Sequence, residues 1–239
     1  MSTAQHGIHI DVVSDVVCPW CFIGKRHLEK ALAAWADAFP ERPVTVRWHP
    51  YFLNPETPEA GEPYRPFLER KFGGPEKLAE IWERVRTAGR SAGIDFAFEK
   101  IALRANTLHA HRLIHRAQEA AAGKVDDGGT AADPDGLIEA LFAAQFLEGR
   151  FVGDRDVLAD IAAGCGAERG AVTAYLASDA DRAEIGAMAG RARTMGISGV
   201  PFFIFNGALA ASGAQPPEAL LQAMREAPPA KATSAAPPP

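Results

Sequence analysis

The chain has 239 residues, 47% of them hydrophobic, and a net charge of -5. That length and apolar fraction support a sizeable core, in one large domain or in one domain carrying an insertion. Mild acidity implies no basic face, so nucleic acid is not an expected partner. No stretch approaches the roughly 18 apolar residues of a membrane span, so no membrane partner is expected either. The segment Met1 to Gly7 is short and polar and lacks the basic start and apolar run of a secretory signal, which makes the cytoplasm the expected compartment.

The first predicted element is a strand over Ile8 to Val13, where Ile8, Ile10 and Val12 alternate with His9, Asp11 and Val13. Ser14 to Val17 connects it to a helix that opens at Cys18-Pro19. Pro19 suits a first helical position, because its missing N–H would lack a helical partner anyway. Leu28, Leu32, Trp35 and Phe39 form one apolar stripe, and Pro40 and Pro43 stop the helix. Val44, Val46 and Trp48 then alternate in a second strand that runs to about Tyr51. Strand, helix and strand make a βαβ unit with the cysteines at the helix start.

Asn54 to Glu62 is rich in Pro and Glu and reads as a loop. About five helices are expected after it. Their apolar stripes hold Leu78, Ile81, Trp82 and Val85; Leu108, Leu113 and Ile114; Leu137, Leu141, Phe142 and Phe146; Val157, Leu158 and Ile161; and Val172, Tyr175 and Leu176. Asn106 or Thr107 caps the second of these and Asp154 opens the fourth. Gly123 to Gly136 is dense in Asp and Gly and reads as a loop. A further helix spans Asp181 to Thr194. Phe202 to Phe205 and Ala208 to Ser212 flank Asn206-Gly207, a strong hairpin signal. Pro216-Pro217 opens a last helix carrying Leu220, Leu221 and Met224. The tail, Ala227 to Pro239, holds only Ala, Pro, Lys, Thr and Ser and is expected to be disordered. The fold class is therefore α/β. Residues 1–54 and 195–226 form one split domain, and residues 55–194 are an inserted helical domain.

The chemistry lies in the cysteines. There are three, Cys18, Cys21 and Cys165, too few for a disulfide scaffold in a chain of this length. In a cytosolic chain, a C-x-x-C pair beside a strand and a helix points to redox work. Two intervening residues let the sulfurs meet across the first helical turn. Unpaired N–H groups and the helix dipole favour an anion at Cys18, and thiolate is the reactive form. Cys21, one turn further in, is the resolving thiol. A zinc site needs about four ligands. Only one cysteine pair is present, and no histidine pair follows at finger spacing, so no metal is expected. Cys165 reads as a small apolar residue. His109 and His115 read as solvent-facing or packing residues. His111 reads as a packed polar residue, or as a lining residue of the cleft if the insert folds over it. Trp20 lies within the motif and is expected to be exposed, where it can touch substrate.

Ser14-Asp15-Val16-Val17-Cys18-Pro19-Trp20-Cys21-Phe22-Ile23-Gly24-Lys25, with Gly199-Val200-Pro201-Phe202-Phe203 downstream, resembles the DsbA-like oxidoreductases of thioredoxin-like fold, the FrnE-like branch above all. Ser212-Gly213-Ala214-Gln215-Pro216 and Asn106-Thr107 with Ala110-His111 fit that branch too. The likeness runs from about Ile8 to Met224. It implies a thioredoxin-like fold with a large helical insertion and a thiol–disulfide oxidoreductase. It also implies a cis peptide bond before Pro201, a loop there facing Cys18, and a Val200 backbone free to pair with an extended substrate. Implied substrate-binding residues are Pro19, Trp20, Val200, Pro201 and His111. No cofactor is implied beyond the redox-active disulfide, with glutathione as a candidate electron partner. Partners are thiol- or disulfide-containing proteins or small molecules, and no oligomeric state follows. In the cytosol, reduction or isomerisation is as well supported as oxidation. The same superfamily holds 2-hydroxychromene-2-carboxylate isomerases and kappa-class glutathione transferases, which typically carry serine at the Cys18 position and form the enzyme alternative. A binding or chaperone-like module without redox activity is the non-enzymatic one.

Overall fold

The structure, a computed structural model, describes residues 7–126 and 128–229. The expectation of a disordered tail therefore lies outside the described residues for 230–239. Alternating apolar residues build β1 (Ile8–Ser14), and its parallel neighbour is β2 (Val44–Pro50), with Ile8 opposite Val44 and Ser14 opposite Pro50. The helix α1 (Pro19–Ala38) connects them. The distant hairpin joins the other edge. β5 (Phe202–Phe205) lies antiparallel to β1 and β6 (Leu209–Ser212) antiparallel to β5. The sheet order is thus β2-β1-β5-β6. Asn206 and Gly207 both take positive φ, as the tight hairpin turn between twisted strands demands.

Both faces of the sheet are covered. Ile8, Ile10, Val12, Phe203 and Phe205 belong to the main core, which includes α1 and α9 (Pro217–Glu226). Val13 breaks the alternation expected of a one-faced strand for a physical reason. It packs with Tyr51, Ala192 and Ile197 in a second, smaller cluster on the side of α8 (Arg182–Thr194).

Between β2 and α8 the chain forms α2 (Tyr64–Phe72), α3 (Pro75–Ser91), α4 (Leu108–Ala121), α5 (Pro134–Ala143), α6 (Arg155–Gly164) and α7 (Arg169–Ala177). The sequence reading lacked α2 and a two-residue strand pair, β3 (Glu62–Pro63) with β4 (Leu103–Arg104). The loop expected over 123–136 ends three residues early. Asp133 accepts a hydrogen bond from Gly136 N and caps α5, with Pro134 at its first position. Of the two candidate caps for α4, Asn106 takes the role: its Oδ1 accepts from Leu108 N at 3.0 Å, and its amide donates to Thr57 O.

An aromatic seam ties the helical segment to α1. Phe22 stacks on Phe142 at 5.1 Å between centroids and meets Phe96 edge-on at 6.2 Å. Phe96 stacks on Phe98, and Phe98 on Trp82. Lys25, fully buried, reaches Glu29 on its own helix and Asp135 and Glu139 of α5. Burial opposes its charge, but these carboxylates outweigh burial and raise its pKa.

Candidate active site

β1 ends at Ser14, and the chain turns through Asp15, Val16 and Val17. Cys18 N donates to Asp15 O at 3.0 Å to close this turn. Cys18 is the N-cap of α1, in extended conformation, and Pro19 is the first helical residue. No side chain caps this helix end and no acidic residue lies in its first turn. The partial positive charge of the helix start is therefore left to the Cys18 sulfur. Cys21 N donates to Cys18 O at 3.0 Å, which sets the two cysteines one turn apart.

Both thiols are free, and their surroundings differ. Cys18 is 5% exposed, and its thiol points at Val200 O, 3.6 Å away. The Val200-Pro201 peptide bond is cis. Gly24 of α1 makes room for this loop: a Cβ there would lie 2.8 Å from Pro201 Cγ and 3.2 Å from Phe203 Cζ. Cys21 is fully buried. Burial, then the neighbouring Cys18 sulfur, push its thiol well above its usual pKa, against the smaller pull of the Ser14 hydroxyl and the Asp15 backbone.

A cavity of about 340 Å³ opens over Cys18. Trp20 and Val200 form one side, and Tyr64, Trp82 and Phe98 from the helical segment form another. Pro19 also lines it, whereas Pro201 is buried behind Val200 against Gly24. Trp20, 36% exposed, stands at the surface. Burial and the nearby Cys18 sulfur raise the pKa of the Tyr64 phenol. Tyr64, Trp82 and Phe98 were not named as site residues from the sequence, because they belong to elements whose approach to the motif depends on long-range packing. Aromatic enrichment over 64–98 was the only available signal.

His111 lies elsewhere. It is buried and lines a small separate space of about 10 Å³ with Ser14 and His115. Its Nε2 is 3.4 Å from Asp15 Oδ1, and its ring meets Phe52 edge-on. Asp15, 1% exposed, accepts from Leu53 N through its other oxygen. A carboxylate set among apolar residues just before Cys18 was a readable signal for this residue. His109 and His115 are buried packing residues. Burial, and then the charge of Arg112, hold the His109 pKa down at about 4. Cys165 caps α6, half-buried against the core, with its thiol pKa raised by burial and by Asp133.

A C-x-x-C pair heading the first helix of a mixed four-stranded sheet, with helices inserted before the final hairpin, defines the class: a thioredoxin-like fold with a helical insertion. The chain belongs to the DSBA-like thioredoxin domain family, whose model matches residues 9–225. The Streptomyces coelicolor protein SCO1869, described as a probable DsbA oxidoreductase, is 30% identical, with a TM-score of 0.78 over 92% of this chain and 89% of that one. The cytosolic disulfide reductase DsbM of Pseudomonas aeruginosa shares the fold at 18% identity, with a TM-score of 0.60 over 91% of this chain and 97% of its own. A curated relative in Bacillus subtilis (strain 168), the uncharacterized protein YwbO, is 26% identical over 155 residues, 65% of this chain. That match spans 64% of YwbO, less than two thirds of its length. Among the described residues, no helix is long and apolar enough to cross a membrane.

Proposed function

We propose that the protein is a thiol–disulfide oxidoreductase in which Cys18 exchanges with the substrate and Cys21 resolves. The observation that carries this reading is the asymmetry of the two thiols. Cys18 caps α1 and faces the cavity, while Cys21 is sealed beneath it with a raised pKa. A helix start with no capping side chain favours thiolate, and thiolate is the attacking species. With the protein reduced, Cys18 attacks a substrate disulfide and one substrate thiolate leaves. Cys21 then attacks Cys18, the Cys18–Cys21 disulfide forms, and the second substrate thiol departs. Two electrons pass to the substrate. The reverse sequence oxidises two substrate thiols.

Val200 offers its carbonyl beside the reacting sulfur, which suits an extended substrate backbone. Pro19 and Trp20 form the adjoining surface, and Pro201 fixes the loop. The substrates are thiol- or disulfide-containing proteins or small molecules, and the cytoplasm is the proposed compartment. The disulfide itself is the redox centre. Glutathione or a similar thiol is the proposed electron partner.

Cys18→Ser is expected to abolish disulfide turnover with insulin and with a small aromatic disulfide. Cys21→Ser is expected to accumulate a mixed disulfide on Cys18, read by intact-mass spectrometry. Turnover that survives Cys18→Ser contradicts the reading. Glutathione-dependent isomerisation of a chromene carboxylate, unaffected by Cys21→Ser, would instead support the isomerase alternative.

A further inference from the structure

The cavity over Cys18 limits what the reacting sulfur can be attached to. Cys18 is 5% exposed and lines a space of about 340 Å³, at the small end of ligand pockets. Such a space takes a ring and its substituents, whereas a disulfide on the convex surface of a folded protein fits it poorly. Its walls are aromatic. Tyr64, Trp82 and Phe98 stack in series, with centroids 6.4 and 5.3 Å apart and neighbouring planes within 18° of parallel. Trp20 and Phe72 line the cavity too, and among the described residues only Met195 is another large apolar side chain left exposed. Exposed apolar surface gathered at one opening points to an apolar ligand body.

Against these walls stand polar groups with unused capacity. Gln145 is 1% exposed and lines the cavity, yet neither its Nε2 nor its Oε1 has a hydrogen-bond partner. Buried polar atoms are normally paired, so a buried amide empty at both ends needs a reason. Gln145 stands in a π-helical turn (Ala144–Glu148), closed by Gly149 N donating to Ala144 O. Such turns are frequent at functional sites. Arg104 Nη2 donates to Glu62 at 2.6 Å, but its Nε is buried and unpartnered. Arg104 Cζ lies 3.6 Å from the centre of the Phe67 ring, and Lys71 Nζ lies 5.6 Å from the same point. Both cations line the cavity, and Lys71 makes no ion pair among the described residues. Among those residues no carboxylate lines the cavity. Three uncommitted N–H donors with no competing anion suit one kind of substituent, a carboxylate. The Gln145 oxygen is left for a water brought in with it.

We propose that Cys18 prefers a small aromatic disulfide bearing a carboxylate, its ring packed against Tyr64, Trp82 and Phe98 and its carboxylate met by Lys71, Arg104 and Gln145. This substrate class rests on the dithiol reading above. In one turnover the Cys18 thiolate attacks one sulfur of the disulfide, the S–S bond breaks and the first aromatic thiolate leaves. Cys21 displaces the second from Cys18, and the Cys18–Cys21 disulfide forms. Two electrons pass from the cysteines to the substrate. The cysteine protons go to the leaving thiolates by exchange with solvent, so two aromatic thiols result. A neutral aromatic disulfide leaves the cavity's donors unmet. Glutathione disulfide, polar throughout, leaves the ring walls uncovered.

The test is a single-turnover oxidation of the reduced full-length protein at neutral pH, quenched in acid, alkylated and read by mass. The probes are the meta-substituted dithiodibenzoate, its uncharged dicarboxamide and glutathione disulfide. Each rate is divided by that of the same probe with free dithiothreitol, which removes differences in intrinsic reactivity. The acid is expected to react about tenfold faster than either of the others. Gln145→Leu, close in size, is expected to lower the acid-to-amide ratio roughly threefold. Lys71→Glu, an exposed change that spares the core, is expected to reverse the preference and guards against a misfolded Gln145 variant. An acid that reacts no faster than its amide, or a preference that survives both substitutions, overturns the assignment of the donors. Glutathione disulfide reacting as fast as the acid overturns the aromatic class. So does a cysteine peptide disulfide with a neighbouring aromatic residue that outpaces the acid. Each of these leaves the dithiol reading standing. Native protein that is oxidised by none of the probes overturns the dithiol reading and the substrate class together.

Discussion

At the scale of single residues, the site depends on one missing side chain as much as on two sulfurs. Gly24 has no unusual backbone angle to explain it. Its role is the close approach of Pro201 Cγ and Phe203 Cζ to α1. Gly24→Ala is expected to destabilise the fold by roughly 1–3 kcal/mol, read as a lower urea midpoint, because overpacking forces the loop from the helix. Turnover should fall with it, since Val200 O would move away from Cys18. Cys18 and Cys21 could be named because their motif is written in neighbouring residues, whereas Pro201 was named only through the family resemblance of Gly199 to Phe203. Tyr64 was present but mute, and Asp15 stood out only as a carboxylate among apolar residues. Nothing local says that an aspartate before the motif faces a histidine from the insert, or that a tyrosine some fifty residues away along the chain closes a cavity.

Among the elements, α1 is held from several sides. Its start faces Val200, its apolar stripe packs on the sheet and α9, and Phe22 enters the aromatic seam with Phe142 and Phe96. Phe22→Ala is expected to cost about 3–5 kcal/mol, by removing a ring from the centre of that seam. Chemical denaturation with far-ultraviolet circular dichroism would measure it. A loss under 1 kcal/mol would contradict the packing described. Strong periodicity made α1, α3, α4, α6 and α7 readable. The segment 64–72 hid α2 because its few apolar residues interleave with Arg65, Glu69, Arg70 and Lys71, and Tyr64 is its only buried residue. The start of α5 was masked by Asp-Pro-Asp-Gly, which resembles a turn until Asp133 is seen capping the helix.

In the whole molecule, two sequence segments more than 150 residues apart complete one sheet, and the intervening helices wall the cavity over its active end. The order of elements was readable because each strand carries alternation and each turn carries its marker residues. The docking of the helical segment was not, since it is decided by rings meeting across the chain and by Lys25 reaching Glu139. The consequence for function is an unequal pair of thiols, one facing a cavity and one sealed. The most direct measurement is limited alkylation of the folded, reduced protein with iodoacetamide near neutral pH, mapped by peptide mass spectrometry. Cys18 is expected to label first, with Cys21 protected until the protein is denatured. Equal labelling of the two, or Cys21 reacting first, would contradict a mechanism built on their difference.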